Sequence, residues 1–377
     1  MRILLLGPRH DGGSLPPYLA VLATALRRHG NHVDWRGTDG LPYDTTNERF
    51  WVASRILRAA QKLLRDVDLD AYDIISLHFG NLEIEQLIPT LLPTRRPPVV
   101  HHVHSLDWTL FSEHVPVPEL RDAVHAATAG LDGYLCFGRY AQQIIEQRTG
   151  STTPSITVWL PTTIPPTTTG KAPPGLGNLL TASPPRIVAS LYGYAAPWKD
   201  AAGLVHALRH AQHPTRVVLA GPFWDDPQQA GTDLAAARPQ RHPGAGADLV
   251  VCPDYLDAQA RKALVRASDL GVFPYRHQPT FQGSGAIADY VAHGTPVLVT
   301  DVANMTELAG PAGLVVPPND AAAFAAALDR LAGNRTLRDR LTRFAIERAP
   351  LFTADHHAAE SLRLYEKVIH LHRGRTH

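Results

Sequence analysis

Lys199 stands in GYAAPWKDAAGLVHAL, a stretch that follows an apolar run and opens a helix-period pattern. Its ammonium therefore falls near a helix amino terminus, where a diphosphate would be held. A surface lysine fits the same string, but only 5 of the 36 Lys+Arg are lysine, and a position without chemical demand would more often read Arg. Downstream, FQGSGAIADYVAHGTPVLVTD puts Gln282, Gly283, Ser284 and Gly285 in a small-residue loop that enters a helix, whose free N–H groups suit an anion. Asp289 is one and a half turns into that helix, placed to accept two hydrogen bonds from a ribose diol. An exposed helix carboxylate would read the same way.

In the first third, GPRHDGGS sets Gly12 and Gly13 before a helix, where backbone amides approach a phosphate or sugar oxygen, or simply make a tight turn. The spacing is not G-x-G-x-x-G, so a nicotinamide site is not expected, although Asp34 holds a suggestive place at the end of the next apolar run. The segment VVHHVHSLDW carries His101, His102 and His104; strand alternation puts His102 and His104 on one face and His101 on the other. Compared with the metallo-hydrolase pattern H-x-H-x-D-H, Asp107 comes one residue late and Trp108 replaces the final histidine, so no metal is expected. A polar strand end accounts for these histidines equally, and for His78 at the end of DIISLH. Asp66, Asp68 and Asp70 in DVDLD have D-x-D spacing but precede a strand instead of following one, which suits a solvated connection.

The elements that must position these residues alternate. Apolar runs at 2–6, 32–35, 73–78, 98–103 and 133–137 read as strands, with helix-period stretches between them. Tyr18, Leu22 and Leu26 stack at i, i+4 and i+8, with Pro16 and Pro17 at the start of that helix and Gly30 at its end. The pattern lapses over 161–186, where seven prolines and almost no charge read as an extended linker. It resumes with strands at 187–191, 216–220, 249–252, 270–274, 296–300 and 313–316, and closes on an amphipathic helix over 354–372. The expected fold class is therefore α/β: two Rossmann-like, doubly wound parallel domains. The expected boundaries are 1–165, a Pro/Thr-rich linker 166–186, 187–353, and a terminal helix 354–377 packing back toward the first domain. Two such sheets are expected to face each other across a ligand cleft.

Composition narrows the function. Lys+Arg (36) against Asp+Glu (35) leaves +1, so no cationic excess serves nucleic acid or an anionic membrane. Hydrophobic residues at 44% and charged residues at 19% describe an ordinary globular chain. Cys136 and Cys252 are in no metal or redox spacing, and MRILLLGPRHDGG lacks the apolar core of a signal peptide, so a cytoplasmic location is expected. No apolar run approaches the roughly 18 residues of a membrane span.

These motifs together resemble the large retaining family 4 of nucleotide-sugar-dependent glycosyltransferases with the GT-B fold. The carrying strings are GYAAPWKD, VFPY, FQGSGAIADYVAHGTPVLVTD, TEL and GLVVPPND, in that order and spacing. The resemblance implies donor contacts at Gly12, Gly13, Gly193, Lys199, Arg276, Gly283, Ser284, Gly285 and Asp289. It implies catalytic roles for Lys199, which meets the leaving diphosphate, and for His104, near the transferred sugar, and it matches Glu307 to a glutamate of the family. Acceptor contacts are expected from first-domain loops, with His78, Asn81, Asp107 and Trp108 among them. Tyr194 stands where the family has a phosphate-binding arginine, with Arg276 a nearby substitute, and Phe281 replaces a glutamate that contacts the sugar.

The implied reaction is retaining transfer of a hexose-type sugar from a nucleoside-diphosphate sugar, a UDP-sugar foremost, to a hydroxyl of a small polar or glycan acceptor. No metal or other cofactor, nucleic-acid partner or membrane span is expected. The departing diphosphate would take the acceptor's proton, in keeping with the absence of a glycosidase-type carboxylate pair. A GT-B epimerase or phosphorylase, and a catalytically silent nucleotide-sugar binder, are the alternatives.

Overall fold

The computed structural model describes residues 1–9, 13–39, 53–80, 83–108, 117–150, 152–172, 176–177, 180, 186–193, 196–222 and 246–376. It divides into two compact units, Met1–Trp159 with Pro279–Gln282 and Ala354–His377, and Leu160–Gln278 with Gly283–Thr353.

The first unit is built on six parallel strands, β1 (Arg2–Leu6), β2 (His32–Arg36), β3 (Ile74–Phe79), β4 (Val99–Val103), β5 (Gly133–Cys136) and β6 (Ser155–Thr157). Their order is β2-β1-β3-β4-β5-β6, so the winding reverses between β1 and β3. Its helices are α1 (Leu15–Arg28), α2 (Ala53–Leu64), α3 (Ile88–Leu91), α4 (Pro118–Ala129) and α5 (Arg139–Thr149). A parallel sheet is covered on both faces, which is why β3 and β4 are buried at every residue and read as apolar runs interrupted only by Ser76 and histidines. Leu4, Leu6, Ile75, Leu77, Phe79, Val99, Val103 and Trp108 pack into one core cluster; each large side chain so buried contributes about 1.5–3 kcal/mol.

The second unit has β7 (Ile187–Tyr192), β8 (Thr215–Ala220), β9 (Ala247–Cys252), β10 (Leu270–Phe273), β11 (Val297–Thr300) and β12 (Gly313–Val316). All pairings are parallel, in the order β12-β11-β10-β7-β8-β9. This is the six-strand Rossmann winding, with its reversal between β7 and β10. The helices are α6 (Ala201–Leu208), α7 (Ala258–Ala267), α8 (Gly285–Ala292), α9 (Met305–Ala309), α10 (Ala321–Gly333) and α11 (Arg335–Arg348). The terminal α12 (Ala354–Thr376) belongs to the first unit and packs along α1.

Every expected strand is present, within two residues of its expected limits; the three-residue β6 was not anticipated, being too short to show a pattern. The proline-rich stretch differs more. Residues from Leu160 on belong to the second unit, and the stretch is fastened to that unit. Gln259 Oε1 accepts from Thr169 Oγ1 (2.9 Å) and Gly170 N (2.8 Å), and Lys262 Nζ donates to the Thr168 carbonyl (2.6 Å). Polar side chains of α7 thus bond the backbone and hydroxyl groups of residues 168–170, which lie in no helix or strand. Pro279–Gln282, expected within the second domain, groups with the first unit, where Leu106 N donates to the Thr280 carbonyl (3.0 Å) and Gln282 Nε2 to that of Val103.

Candidate functional site

In the second unit, sheet winding and glycine combine at the carboxyl end of β7. Gly193 has φ +108° and donates its N–H to the Ala220 carbonyl (2.9 Å). Beside it, a Cβ on Gly221, φ +128°, would meet Gly193 O at 2.4 Å. The two strand ends can approach this closely only with hydrogen at the Gly221 α-carbon. A Cβ on Gly193 would itself stand 2.7 Å from Lys199 Nζ, so the missing side chain is the space the ammonium occupies.

Lys199 closes a 3₁₀ turn, Pro197–Lys199, and its Nζ lies 5.9 Å from the centroid of the Tyr275 ring. It has no hydrogen-bond acceptor or carboxylate partner among the described residues. Burial alone pulls its pKa down to about 8, since nothing compensates the desolvated charge. The next residue, Asp200, adopts a left-handed conformation (φ 52°) and caps α6 by accepting from Gly203 N (2.9 Å). The α6 amino terminus is therefore already answered by a carboxylate, and a diphosphate at Lys199 would not draw on it.

Arg276, expected to substitute for the missing phosphate arginine, is half exposed and paired with Asp200 Oδ1 at 2.5 Å. Its charge is committed, and its N–H donates to the Trp198 carbonyl (2.8 Å), tying the end of β10 to the Lys199 turn. Arg276 and Asp200 also line a pocket of about 280 Å³ at the carboxyl ends of the strands, with Thr300, Asn319, Asp320 and Phe324.

Gly283, Ser284 and Gly285 enter α8 as expected, with Ser284 in extended conformation at the N-cap and no side chain capping the first-turn amides. A Cβ on Gly285 would meet open space. Asp289, in contrast, is 0% exposed, and its oxygens are consumed internally. Oδ1 accepts from Thr162 Oγ1 (2.6 Å) and Thr163 N (2.9 Å); Oδ2 accepts from Tyr192 Oη, and Arg261 Nη1 stands 3.6 Å away. The expected ribose ligand is thus a buried anchor that fastens the Leu160 strap. The α8 period points this position inward, a direction that a lone sequence cannot distinguish from outward.

The first unit presents a different chemistry. Gly13 has φ +74° just before Ser14, the N-cap of α1; Gly12, Asn81 and Tyr194 lie outside the described residues. The side chains of His78 and His102 point to the same side of the sheet, and both are fully buried. His78 is therefore not placed for an acceptor: Nε2 meets Ser76 Oγ (2.8 Å) and Nδ1 meets His104 Nε2 (3.3 Å). His104, one residue past β4, is partly exposed, with its ring edge-on to Tyr18 at 4.7 Å and near Phe137 at 5.0 Å. Trp108, expected at the acceptor, is 1% exposed and stacked on Tyr134 at 6.0 Å, a core residue. Its indole is simply large and apolar enough to fill the sheet face that β4 leaves. Asp107 is partly exposed, with its N–H on Ser105 Oγ (3.1 Å).

Residues that the sequence did not single out complete this region. Tyr18 of α1 and His357 and Tyr365 of α12 reach the same histidines: Tyr18 Oη lies 2.8 Å from His102 Nδ1 and 2.7 Å from His357 Nε2, and Tyr365 Oη 2.8 Å from His102 Nε2. The signal was the eight-residue interval between His357 and Tyr365, one face of a helix, visible only once α12 is known to pack there. Among the described residues no three His, Cys, Asp or Glu converge as metal ligands. The DVDLD carboxylates are exposed in the connection before β3, at the opposite end of the sheet from His104. No helix among the described residues is long and apolar enough to cross a membrane.

Comparison with known proteins agrees with the arrangement. Residues 187–334 match the family Glycosyl transferases group 1. Over 83 residues, 22% of this chain, the sequence is 38% identical to D-inositol 3-phosphate glycosyltransferase of Nocardioides sp.. The matched stretch spans only 18% of that curated relative's length. Among solved structures, sucrose-phosphate synthase from Thermosynechococcus elongatus superposes with a TM-score of 0.72 at 18% identity, over 98% of this chain and 99% of that one. Anabaena HepE, solved in complex with UDP-glucose, gives 0.66 at 16% identity over 96% and 99%. At such identities the likeness is one of fold. Residues 187–334 thus match the family Glycosyl transferases group 1, and the chain as a whole shares the GT-B fold of these solved structures.

Proposed function

We propose that the protein is a retaining glycosyltransferase that moves a hexose-type sugar from a nucleoside-diphosphate sugar, UDP-linked, to a hydroxyl of a small polar or glycan acceptor. The observation that carries this reading is Lys199: a partly exposed lysine whose desolvated ammonium has no counter-charge among the described residues, seated against Gly193 where the sheet winding reverses. A diphosphate supplies the missing charge. The names of the similar proteins support the class, since HepE was solved with UDP-glucose and the Nocardioides relative is a glycosyltransferase acting on a phosphorylated polyol.

In this reading Lys199 and the uncapped amides at Gly283, Ser284 and Gly285 hold the diphosphate and stabilise it as the C1–O bond breaks. Gly193 keeps the approach to the ammonium open. The acceptor oxygen bonds to C1 on the face the diphosphate leaves, and its proton passes to the diphosphate oxygen, so no metal and no side-chain base is required. His104 meets the transferred sugar. Asp107 is the expected first-unit acceptor contact that remains partly exposed.

The test is UDP release from UDP-glucose against a panel of polyol, monosaccharide and sugar-phosphate acceptors, with the anomeric configuration of the product read by proton NMR. Retained configuration, lost on Lys199→Ala, is expected; inversion, or turnover unaffected by that change, would contradict the reading. A catalytically silent binder is the second reading, because Asp289 and Arg276 are both committed within the protein; it predicts nucleotide binding without turnover.

A further inference from the structure

Behind His104, entirely within the first unit, runs an unbroken chain of seven hydrogen bonds. Its far end is the Trp159 carbonyl, 3.0 Å from His357 Nδ1. It continues through Tyr18 (2.7 Å), His102 (2.8 Å), Tyr365 (2.8 Å), Ser76 (2.6 Å), His78 (2.8 Å) and His104 (3.3 Å). The polarity of every link follows from the first. A carbonyl only accepts, so His357 Nδ1 carries the proton. Burial holds this imidazole neutral, with its pKa down to about 3, so Nε2 is bare and Tyr18 must donate to it. Having spent its one proton, Tyr18 accepts from His102 Nδ1–H.

Burial also drives His102, His78 and His104 well below the usual histidine value, and their like-charge proximity adds to it. Neutral His102 leaves Nε2 bare, so Tyr365 donates to it and in turn accepts from Ser76. Ser76 then accepts from His78 Nε2–H, and bare His78 Nδ1 accepts from His104 Nε2–H. One proton remains assigned to each group, and none is free to turn without breaking a neighbour's bond.

We propose that this chain, anchored on the Trp159 carbonyl and closed by His357 and Tyr365 of the terminal helix, locks His104 as the Nε2–H tautomer and leaves its Nδ1 an obligate acceptor. Nδ1 has no hydrogen-bond partner among the described residues. It therefore recognises a group that donates, a sugar hydroxyl or water, and gains nothing from a carboxylate or phosphate oxygen. That hydroxyl specificity rests on the function proposed above, whereas the tautomer lock does not. His357, Tyr18, His102, Tyr365, Ser76 and His78 are thus positioning residues.

The test reads imidazole 15N shifts of the ligand-free full chain labelled with 15N-histidine, with His104→Asn identifying the His104 signals. Expected in the wild type is one unprotonated signal at Nδ1 and one protonated at Nε2. Tyr365→Phe frees the Ser76 hydroxyl to turn toward His78, so the two His104 shifts should move toward each other as both tautomers populate. Ser76→Ala should do the same and serves if Tyr365→Phe does not fold. A wild-type His104 protonated at Nδ1, or already averaged, overturns the proposal, as do unchanged His104 shifts in a folded variant. Because no nucleotide or sugar is present, the outcome is independent of whether the protein transfers sugar.

Discussion

The two units solve the problem of a polar site in a buried sheet in opposite ways. At the carboxyl end of the first sheet, charge is suppressed: His78, His102 and His357 are held neutral by burial and their protons are fixed by one another. At the corresponding end of the second sheet a charge is kept without a counter-charge among the described residues, Lys199 beside Gly193, while Asp200 is matched by Arg276 and Asp289 by Arg261. A satisfied neutral network gives direction and rigidity; a cation without a counter-charge gives affinity for an anion. Under the proposed function, the contrast assigns hydroxyl recognition to the first unit and phosphate recognition to the second.

The sharpest way to probe the contrast is to remove a matched charge. Asp289→Ala leaves Arg261 buried without a partner and releases Thr162 and Thr163. Breaking a buried pair costs about 3–5 kcal/mol, read as a drop in Tm of roughly 10 °C for a unit of this size. A smaller loss than about 1 kcal/mol would mean that Asp289 is not the anchor described.

The first unit offers the complementary case in Glu85, whose Oε1 accepts from Thr38 N (2.8 Å) while Oε2 is buried without a hydrogen bond; burial raises its pKa to about 7. The folded state binds the proton more tightly than the unfolded one. Its stabilising contribution is therefore full below about 4.5 and is lost as pH rises to about 7. Glu85→Gln should remove that slope and raise stability at pH 8 by roughly 3 kcal/mol, checked by thermal unfolding at pH 5 and 8.

Lys199→Met should behave oppositely to Asp289→Ala, although both remove a buried charge. With no counter-charge to lose, the variant should be more stable at neutral pH, by roughly 1–3 kcal/mol. The folded pKa, about 8, lies below the ordinary lysine value of 10.5, so the cost of the ammonium is full below about 8 and disappears by 10.5. The Tm gap between variant and wild type should close over that window. Gly193→Ala, which sets a Cβ 2.7 Å from Nζ at φ +108°, should cost about 1–3 kcal/mol in stability and displace the ammonium. The smallest effect is on nucleoside-diphosphate affinity: above pH 8 it should fall by up to about tenfold per pH unit as Lys199 deprotonates, and stay flat from pH 6 to 7.5.

The alternation of short apolar runs with helix-period stretches made the two parallel sheets legible, because every strand but β6 is long and apolar enough to show. Lys199 was legible too, since its setting after a strand and before a helix fixes its place at the sheet's carboxyl edge. What the sequence hid depends on side-chain direction and on long-range packing. Asp289 reads as a helix carboxylate from either face; only the packing of the Leu160 strap turns it inward. Trp108 and His78 were expected at the acceptor but are buried by neighbouring elements, and a single strand does not announce its neighbours. The hydrogen-bonded chain joins positions 18, 76, 102, 357 and 365, whose association is a property of topology alone.

The most direct test of the central claim, that Lys199 marks a diphosphate site, is calorimetric titration of the purified protein with UDP, GDP, dTDP and ADP. Wild type is compared with Lys199→Ala at pH 7. The account predicts micromolar binding of one nucleotide and a loss of about 30-fold or more in the variant, the worth of a charge-assisted phosphate contact. No binding of any of the four, or equal affinity in the variant, would contradict it.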